Sequence, residues 1–469
     1  LGACYVLGGE IVSNESSTFI SNPQCDAADV AGVREILMTT EKGKPANTIE
    51  NFKTVFCCDP LLHDSIRLNL LTEQIDIVRA LGWHRTTNAL TDIDVKYLLL
   101  YFEQNYCLTS EKKLLAALTI VANENCYHPI RDILNSLAWD GQPRIRSCLH
   151  HFLGAEESDY VEEMLKHFLL GAIRRVFHPG CKYDEMLCLV GGQGAGKSTF
   201  FRFLAIQDEW FSDDLKKMDD DQVYVKLQGH WIIEMSEMLA TSNAKSIEEI
   251  RSFISRQKET YRTPYDTYPK DRLRQSVFGG SSNTLDFLPL DRAGNRRFLP
   301  IMVYPESAEV HILKNEAASR EYIMQVWAEA MMIYRSGEYS MKFSKEIQNR
   351  LIEVQRDFMP EDTEAGQIQG FLEHYSGNQV CSKQLFKEAL GHTFEEPKRW
   401  QLHSINEIMN TAVTGWKAFS NPRMFAGYGR QRGWERIPSC NELPDNKDGF
   451  VELTEEEVRQ LELPKEWIA

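Results

Sequence analysis

The sequence predicts an α/β fold: a phosphate-loop core, preceded by an α-helical N-terminal region and followed by a small winged-helix-like module. Three observations carry this reading. Gly191-Gly192-Gln193-Gly194-Ala195-Gly196-Lys197-Ser198 fits the pattern G-x-x-x-x-G-K-[ST] at every fixed position. It stands between an apolar run, Met186–Val190, and a stretch of helix-like spacing over 198–204, so strand, loop and helix occur in the order the motif requires. Downstream, short apolar runs alternate with amphipathic stretches to about residue 340, as in a parallel sheet with helical connections.

The N-terminal region is turn-rich, with Ser21-Asn22-Pro23 and Gly43-Lys44-Pro45, and shows no recognisable chemistry over its first 110 residues. Thr91, answered by Asp94, reads as the cap of a helix carrying Val95, Leu98, Leu99 and Phe102, and a second helix is expected over 110–122. Pro129 suits a helix start, and the Asp140-Gly141 pair marks a turn. Ser158 reads as the cap of a long helix with an apolar stripe from Val161 to Val176, ended by His178-Pro179-Gly180.

After the loop, 230–237 reads as a buried strand with acids towards its C-terminal end, and Ser246-Ile247-Glu248-Glu249 as a capping box for a helix over 247–256. Strands follow at 275–280 and 298–303, the latter at a sheet edge or with Pro300 at a strand end, because Pro300 cannot donate to a ladder. A helix over 320–334 closes the core. Beyond Pro360, Thr363 and Ser382 read as caps of short helices over 367–374 and 383–390, with a third over 398–411, then a run at 416–419 and a β-wing over 424–434. The resulting division is 1–110, 111–182, an ATPase-like core at 183–340, a helical linker at 341–362, the winged-helix-like module at 363–440 and an acidic tail at 441–469.

Hydrophobic content of 43% and charged content of 26% are those of a soluble globular protein. No apolar run nears 18 residues, and no charged start precedes an apolar segment, so neither a membrane span nor a secretory signal is expected. The eleven cysteines are scattered and form no C-x-x-C with histidine partners, which suits free thiols in the cytoplasm. The sequence begins at Leu1, as a fragment would. Net charge of −16 argues against a protein coated in nucleic acid, yet residues 398–436 hold seven Lys or Arg against two acids. A second basic run, Lys258, Arg262, Lys270, Arg272 and Arg274, precedes the strand at 275–280.

The chemistry follows from residue types. Glycines let backbone N–H groups curl around a polyphosphate at a helix N-terminus, Lys197 can reach the β- and γ-phosphates of ATP, and Ser198, followed by Thr199, can offer a hydroxyl to Mg²⁺. Hydrolysis needs an acid: Glu237 at the strand end is favoured for activating water, with Glu234 on the metal side, since three residues apart on a strand they face opposite ways. Asn283 can hydrogen-bond a γ-phosphate without adding charge, and Arg296 and Arg297 are candidates to stabilise the transferring phosphoryl group, in a neighbour's site.

The run Trp139-Asp140-Gly141-Gln142-Pro143-Arg144, the phosphate loop, Trp231-Ile232-Ile233-Glu234 with Glu237, Tyr261-Arg262-Thr263-Pro264-Tyr265, Ser282-Asn283, Gly294-Asn295-Arg296-Arg297-Phe298 and Trp327-Ala328-Glu329-Ala330 together resemble the virulence-associated protein E family. That family is typical of prophages and mobile elements and is similar to superfamily 3 helicases. The resemblance covers about residues 90–340 and weakens beyond. It implies an AAA+-like domain with ATP at a subunit interface, as in a hexamer, and a channel for single-stranded DNA. It also implies that the segment holding Lys258, Arg262, Lys270, Arg272 and Arg274 touches DNA. The family pattern is departed from in one respect: the acidic strand lacks an adjacent acid pair.

The leading expectation is an ATP-dependent DNA helicase or translocase that acts on single-stranded or forked DNA, with no membrane partner. The alternative is a regulatory DNA-binding ATPase without unwinding activity; a small-molecule kinase is a more distant rival. For the C-terminal module, Lys398, Arg399, Arg430 and Arg432 are expected on duplex backbone, against a protein-docking reading.

Overall fold

The computed structural model describes residues 6–7, 10–11, 29–215, 223, 227–236, 244–261, 270–288, 290 and 295–437. It is a mixed α/β fold that divides by contacts into one unit spanning the chain to Pro289 with Asn295–Met359, and a second of Leu290–Gly294 with the chain from Pro360.

The first unit opens with a layer of helices, α1 (Val30–Ile36), α2 (Ile49–Cys58), α3 (Asp92–Tyr106) and α4 (Glu111–Glu124). They pack around Phe52, Phe56, Leu98 and Phe102, beside a small sheet of β1 (Ile66–Asn69), β2 (Gln74–Ile77) and β3 (Cys126–Tyr127). The reciprocal Thr91–Asp94 capping box starts α3. Asp59 is fully buried there and accepts hydrogen bonds from Tyr101 at 2.8 Å and Tyr106 at 2.5 Å, which satisfies a charge that would otherwise be costly. Cys58 is disulfide-bonded, which corrects the expectation of free thiols throughout; Cys57, Cys107, Cys126, Cys148, Cys181, Cys188 and Cys381 are free.

Next come α5 (Pro129–Ser136), α6 (Ile145–Leu153) and α7 (Asp159–Phe177), the last capped by Ser158, whose hydroxyl accepts from the Val161 amide. The apolar side of α7, including Leu165, Phe168, Leu169, Ile173 and Val176, packs on one face of a five-stranded parallel sheet. Its strands are β4 (Met186–Val190), β5 (Phe211–Ser212), β6 (Ile232–Ser236), β9 (Val277–Ser282) and β10 (Phe298–Met302), in spatial order β10-β4-β9-β6-β5. Between β6 and β9 the chain forms α9 (Ala244–Ile254) and an antiparallel pair, β7 (Lys258–Tyr261) with β8 (Lys270–Leu273). The sheet is buried on both faces, which is why its strands read as continuous apolar runs. Pro300 sits in an edge strand, as its missing N–H requires.

Helix α8 (Lys197–Leu204) follows the glycine loop and lies against the sheet on the α7 side. Gly279 makes room for it: a Cβ there would sit 2.4 Å from the Phe201 ring. Helix α10 (Glu316–Ser336) ends at Gly337 with φ +71°, and α11 (Lys345–Asp357) packs on the opposite sheet face through Val354 and Phe358. Gln355 of α11 donates to the carbonyls of Asn295 and Phe298, so this helix is fastened to the edge strand instead of serving as a free linker.

The second unit has the element order helix, strand, helix, helix, strand, hairpin, strand. Helix α12 (Thr363–His374) is capped by Asp362, one residue before the expected Thr363, because the Asp362 carboxylate accepts from the Ala365 amide. Strand β11 (Gln379–Cys381) leads into the short α13 (Ser382–Gln384), continued by a wide helical turn over Leu385–Ala389. Helix α14 (Arg399–Thr411) precedes β12 (Trp416–Ala418), the hairpin β13 (Arg423–Phe425) with β14 (Gly429–Gln431), and β15 (Gly433–Arg436). The antiparallel sheet runs β11-β15-β12, over a core of Ile368, Leu385, Phe386, Ile405, Ile408 and Trp434.

Several sequence-based boundaries shift. The helix expected at 247–256 starts earlier, at Ala244, so Ser246 lies inside it and not before it. The strands expected at 230–237 and 275–280 run Ile232–Ser236 and Val277–Ser282.

Candidate functional site

At the C-terminal edge of the parallel sheet, β4 runs into the loop Gly191–Gly196 and then into α8. Gly194 and Gly196 take φ of +82° and +85°, conformations that glycine adopts without strain. Gly191 is required for another reason: a Cβ there would lie 2.5 Å from the Val303 carbonyl oxygen. Gly192, Gln193 and Gly194 are exposed, Ala195 is buried, and Thr199 is half-buried behind Ser198. The loop thus sets backbone N–H groups and a helix N-terminus at one point, an arrangement suited to an anion.

Lys197 is buried, and its ammonium donates to the carbonyls of Gly191 at 2.7 Å and Gly192 at 2.8 Å and to Asn283 Oδ1 at 3.0 Å. Burial lowers its pKa, and the nearby Glu234 opposes that shift. Asn283 stands just beyond β9, and β9 pairs directly with β4, so sheet topology delivers this contact between residues 86 positions apart.

Glu234 lies within β6, fully buried. Strand alternation turns Ile233 and Met235 to the α11 face and Glu234 to the α8 face. There Glu234 Oε1 accepts from Ser198 Oγ at 2.8 Å and Ser281 Oγ at 2.5 Å. Its other oxygen, Oε2, is buried without a hydrogen-bond partner among the described residues. Burial raises the pKa of this carboxyl, against the two serine hydroxyls; Asp213 raises it further, and Lys197 lowers it.

Lys197, Ser198, Glu234 and Asn283 are thus brought together. Glu237 and Arg262 lie outside the described residues. Arg296 and Arg297 are not at this cluster: they precede β10, whose first residue, Phe298, pairs with Met186 at the start of β4, whereas the loop follows Val190 at its end. At about 3.3 Å per residue the two ends are at least ~13 Å apart. Arg297 donates to Asp184 at 3.2 Å and Ser255 at 3.0 Å, whereas Arg296 is exposed and has no hydrogen bond or ion pair among the described residues.

The basic run divides. Arg274 is a correction: it is buried, ion-paired with Glu259, donates to the Phe253 carbonyl at 2.5 Å and lies over the Phe253 and Phe278 rings. Burial lowers its pKa to about 10. It is a packing residue, out of reach of nucleic acid. Arg272 is also tied down, donating to Glu73 at 2.8 Å with its side chain 10% exposed. Lys258 is exposed and paired with Asp271 at 2.5 Å, and Lys270 opens β8 opposite Tyr261. In the second unit, Lys398, Arg399, Arg430 and Arg432 are all exposed.

Sequence reasoning missed two residues here. Ser281 shares a strand face with Asn283 two positions on, a period-2 signal that was available. Asp213, directly after β5, required knowing that β5 lies beside β6.

Among the described residues no three His, Cys, Asp or Glu side chains cluster to form a metal cage, and no helix is long and apolar enough to cross a membrane. No curated protein matches the chain. Among solved structures, it is similar to the apo structure of the NrS-1 C terminal region, at 13% identity and a TM-score of 0.41 over 80% of this chain and 96% of that one. It is likewise similar to the A form of that apo structure, at 13% identity and 0.43 with the same coverage. A family model matches over residues 134–360, which hold the glycine loop, Glu234 and Asn283; across that span the chain carries a virulence-associated protein E-like domain.

Proposed function

We propose that this protein is an ATP-hydrolysing motor, a DNA helicase or translocase of the superfamily 3 kind with an AAA+-like core, serving replication of a phage or mobile element in the cytoplasm. The observation that carries the reading is the meeting of Lys197, Ser198, Glu234 and Asn283 where the glycine loop leaves the sheet. The loop amides and Lys197 would bind the β- and γ-phosphates, and Asn283 would sense the γ-phosphate. The ammonium now held by two loop carbonyls and Asn283 would exchange those partners for phosphate oxygens.

A divalent ion fits the remaining groups. Ser198 Oγ and the unpartnered Glu234 Oε2 are oxygen donors of the kind Mg²⁺ takes, with phosphate oxygens and water completing its shell. Bound there, Mg²⁺ would neutralise charge on the transferring phosphoryl group. Glu237 remains the residue proposed to activate water.

Because Arg296 lies at the opposite end of the strands from its own loop, its proposed partner is a nucleotide on a second copy of the chain, in a homo-oligomer such as a hexamer. Lys258 and Lys270, on the β7–β8 pair, with Arg262 between them, are proposed to face single-stranded DNA. The second unit has the element order of a winged helix and is proposed to hold duplex DNA at a fork.

Strand separation on a forked duplex tests the reading. ATP-dependent unwinding is expected, and lost in Lys197→Ala. DNA-stimulated hydrolysis with no unwinding or translocation would favour the regulatory ATPase.

A further inference from the structure

The second unit presents a helix face with the chemistry of base recognition. At 100° per residue, Arg399, His403 and Asn406 of α14 fall within about 60° of one another, opposite the buried Ile405, Ile408 and Met409. All three are exposed. Arg399 and His403 make no side-chain hydrogen bond among the described residues. Asn406 Oδ1 accepts from Ser382 Oγ at 2.5 Å, which fixes the amide plane and leaves its two N–H donors available. A face meant only for solvent would be expected to carry Lys and Glu; this one carries groups that pair with guanine and adenine edges.

Charge points to the occupant. Lys398, Arg399, Arg430 and Arg432 are exposed with no ion pair among the described residues, in a chain of net charge −16. Arg430 sits on β14 of the hairpin and Arg432 directly after it, while Met424 on β13 is 75% exposed. The hairpin is fastened near the start of the segment leading to α14, since Tyr428 donates to Glu388 at 2.7 Å. A helix with an exposed polar face and a basic hairpin in one small unit match the two parts by which a winged helix straddles duplex DNA, one in the major groove and one along the backbone.

We infer that this unit recognises a specific duplex sequence, with Arg399, His403 and Asn406 contacting base edges and Arg430 and Arg432 contacting phosphates. This moves Arg399 from the backbone set to the reading face. From Arg399 to Asn406 the helix rises about 10 Å, room for about three base pairs. The inference rests on the winged-helix reading of this unit and is independent of the motor.

The test is selection of the full-length chain on a random duplex pool, followed by competition binding with each variant at several salt concentrations. The expected result is an enriched motif bound at least about tenfold more tightly than random duplex. Arg399→Ala, His403→Ala and Asn406→Ala should each erase preference at one position. Arg430→Ala and Arg432→Ala should weaken all sequences alike and lower the salt slope by about one each. Arg399 and His403 are exposed and make no side-chain hydrogen bond among the described residues, so Arg399→Ala and His403→Ala report on recognition even if Asn406→Ala disturbs the Ser382 contact. An unenriched pool, or a motif unchanged by all three helix substitutions, overturns the inference. If hydrolysis is still stimulated by DNA in that case, the motor reading survives; a clear motif with hydrolysis indifferent to DNA upholds sequence recognition and removes the motor.

Discussion

Lys197 and Glu234 lie near each other in a buried setting, and a ligand could replace the partners of the first and complete those of the second. The Lys197 ammonium has three oxygen partners, none of them a carboxylate, so phosphate oxygens can take their place without breaking an ion pair. Glu234 has one satisfied oxygen and one without a partner among the described residues, an arrangement that is costly unless something binds there. Glu234→Gln should therefore retain nucleotide affinity while turnover falls on the order of 10²-fold, measured by steady-state hydrolysis beside fluorescent-nucleotide titration. Unchanged turnover would remove Glu234 from the site. A second residue makes a prediction about pH. His128 is buried and bonded to Gln275 at 2.6 Å, and burial lowers its pKa from 6.5 to about 4. Between these values the unfolded chain binds a proton that the folded chain excludes, so stability should fall as pH drops through that window. Denaturant melts from pH 7 to pH 4 would show it, with a shallower dependence in His128→Gln.

At the scale of elements, the sheet and its loop are held by close approaches that tolerate no added atoms. Gly279→Val would drive a side chain into the Phe201 ring of α8 and should cost about 1–3 kcal/mol, read as a lowered thermal midpoint. An unchanged midpoint would show that α8 can shift freely. What could be read from the sequence follows the same division. The glycine loop and the Thr91 and Ser158 caps were legible because each depends on a residue type suited to one local backbone arrangement, and Pro300 narrowed its strand to an edge or an end. The layer around Phe52 and Phe102 was not, since its buried Asp59 is made tolerable by two tyrosines more than 40 positions away. The basic run misled for a similar reason: Arg274 looks like surface charge until Glu259 and two aromatic rings are seen to enclose it. Ion pairs across elements carry no local signature.

For the whole molecule, Arg296 stands away from its own loop, and if it serves a neighbour's nucleotide, as proposed, assembly is part of the chemistry. Lys197→Ala and Arg296→Ala should each be defective alone, whereas a mixture should regain part of the hydrolysis rate by forming mixed interfaces with one intact site. Absence of any rescue, with both variants still associating, would place Arg296 outside the reaction. The proposed motor must couple the glycine loop to nucleic acid, and a simple switch need not. The most direct test is steady-state ATP hydrolysis with and without single-stranded DNA, on the native chain and on Lys197→Ala. Coupling predicts a rate raised several-fold by DNA and abolished by the substitution; a rate indifferent to DNA, or untouched by loss of Lys197, would contradict it.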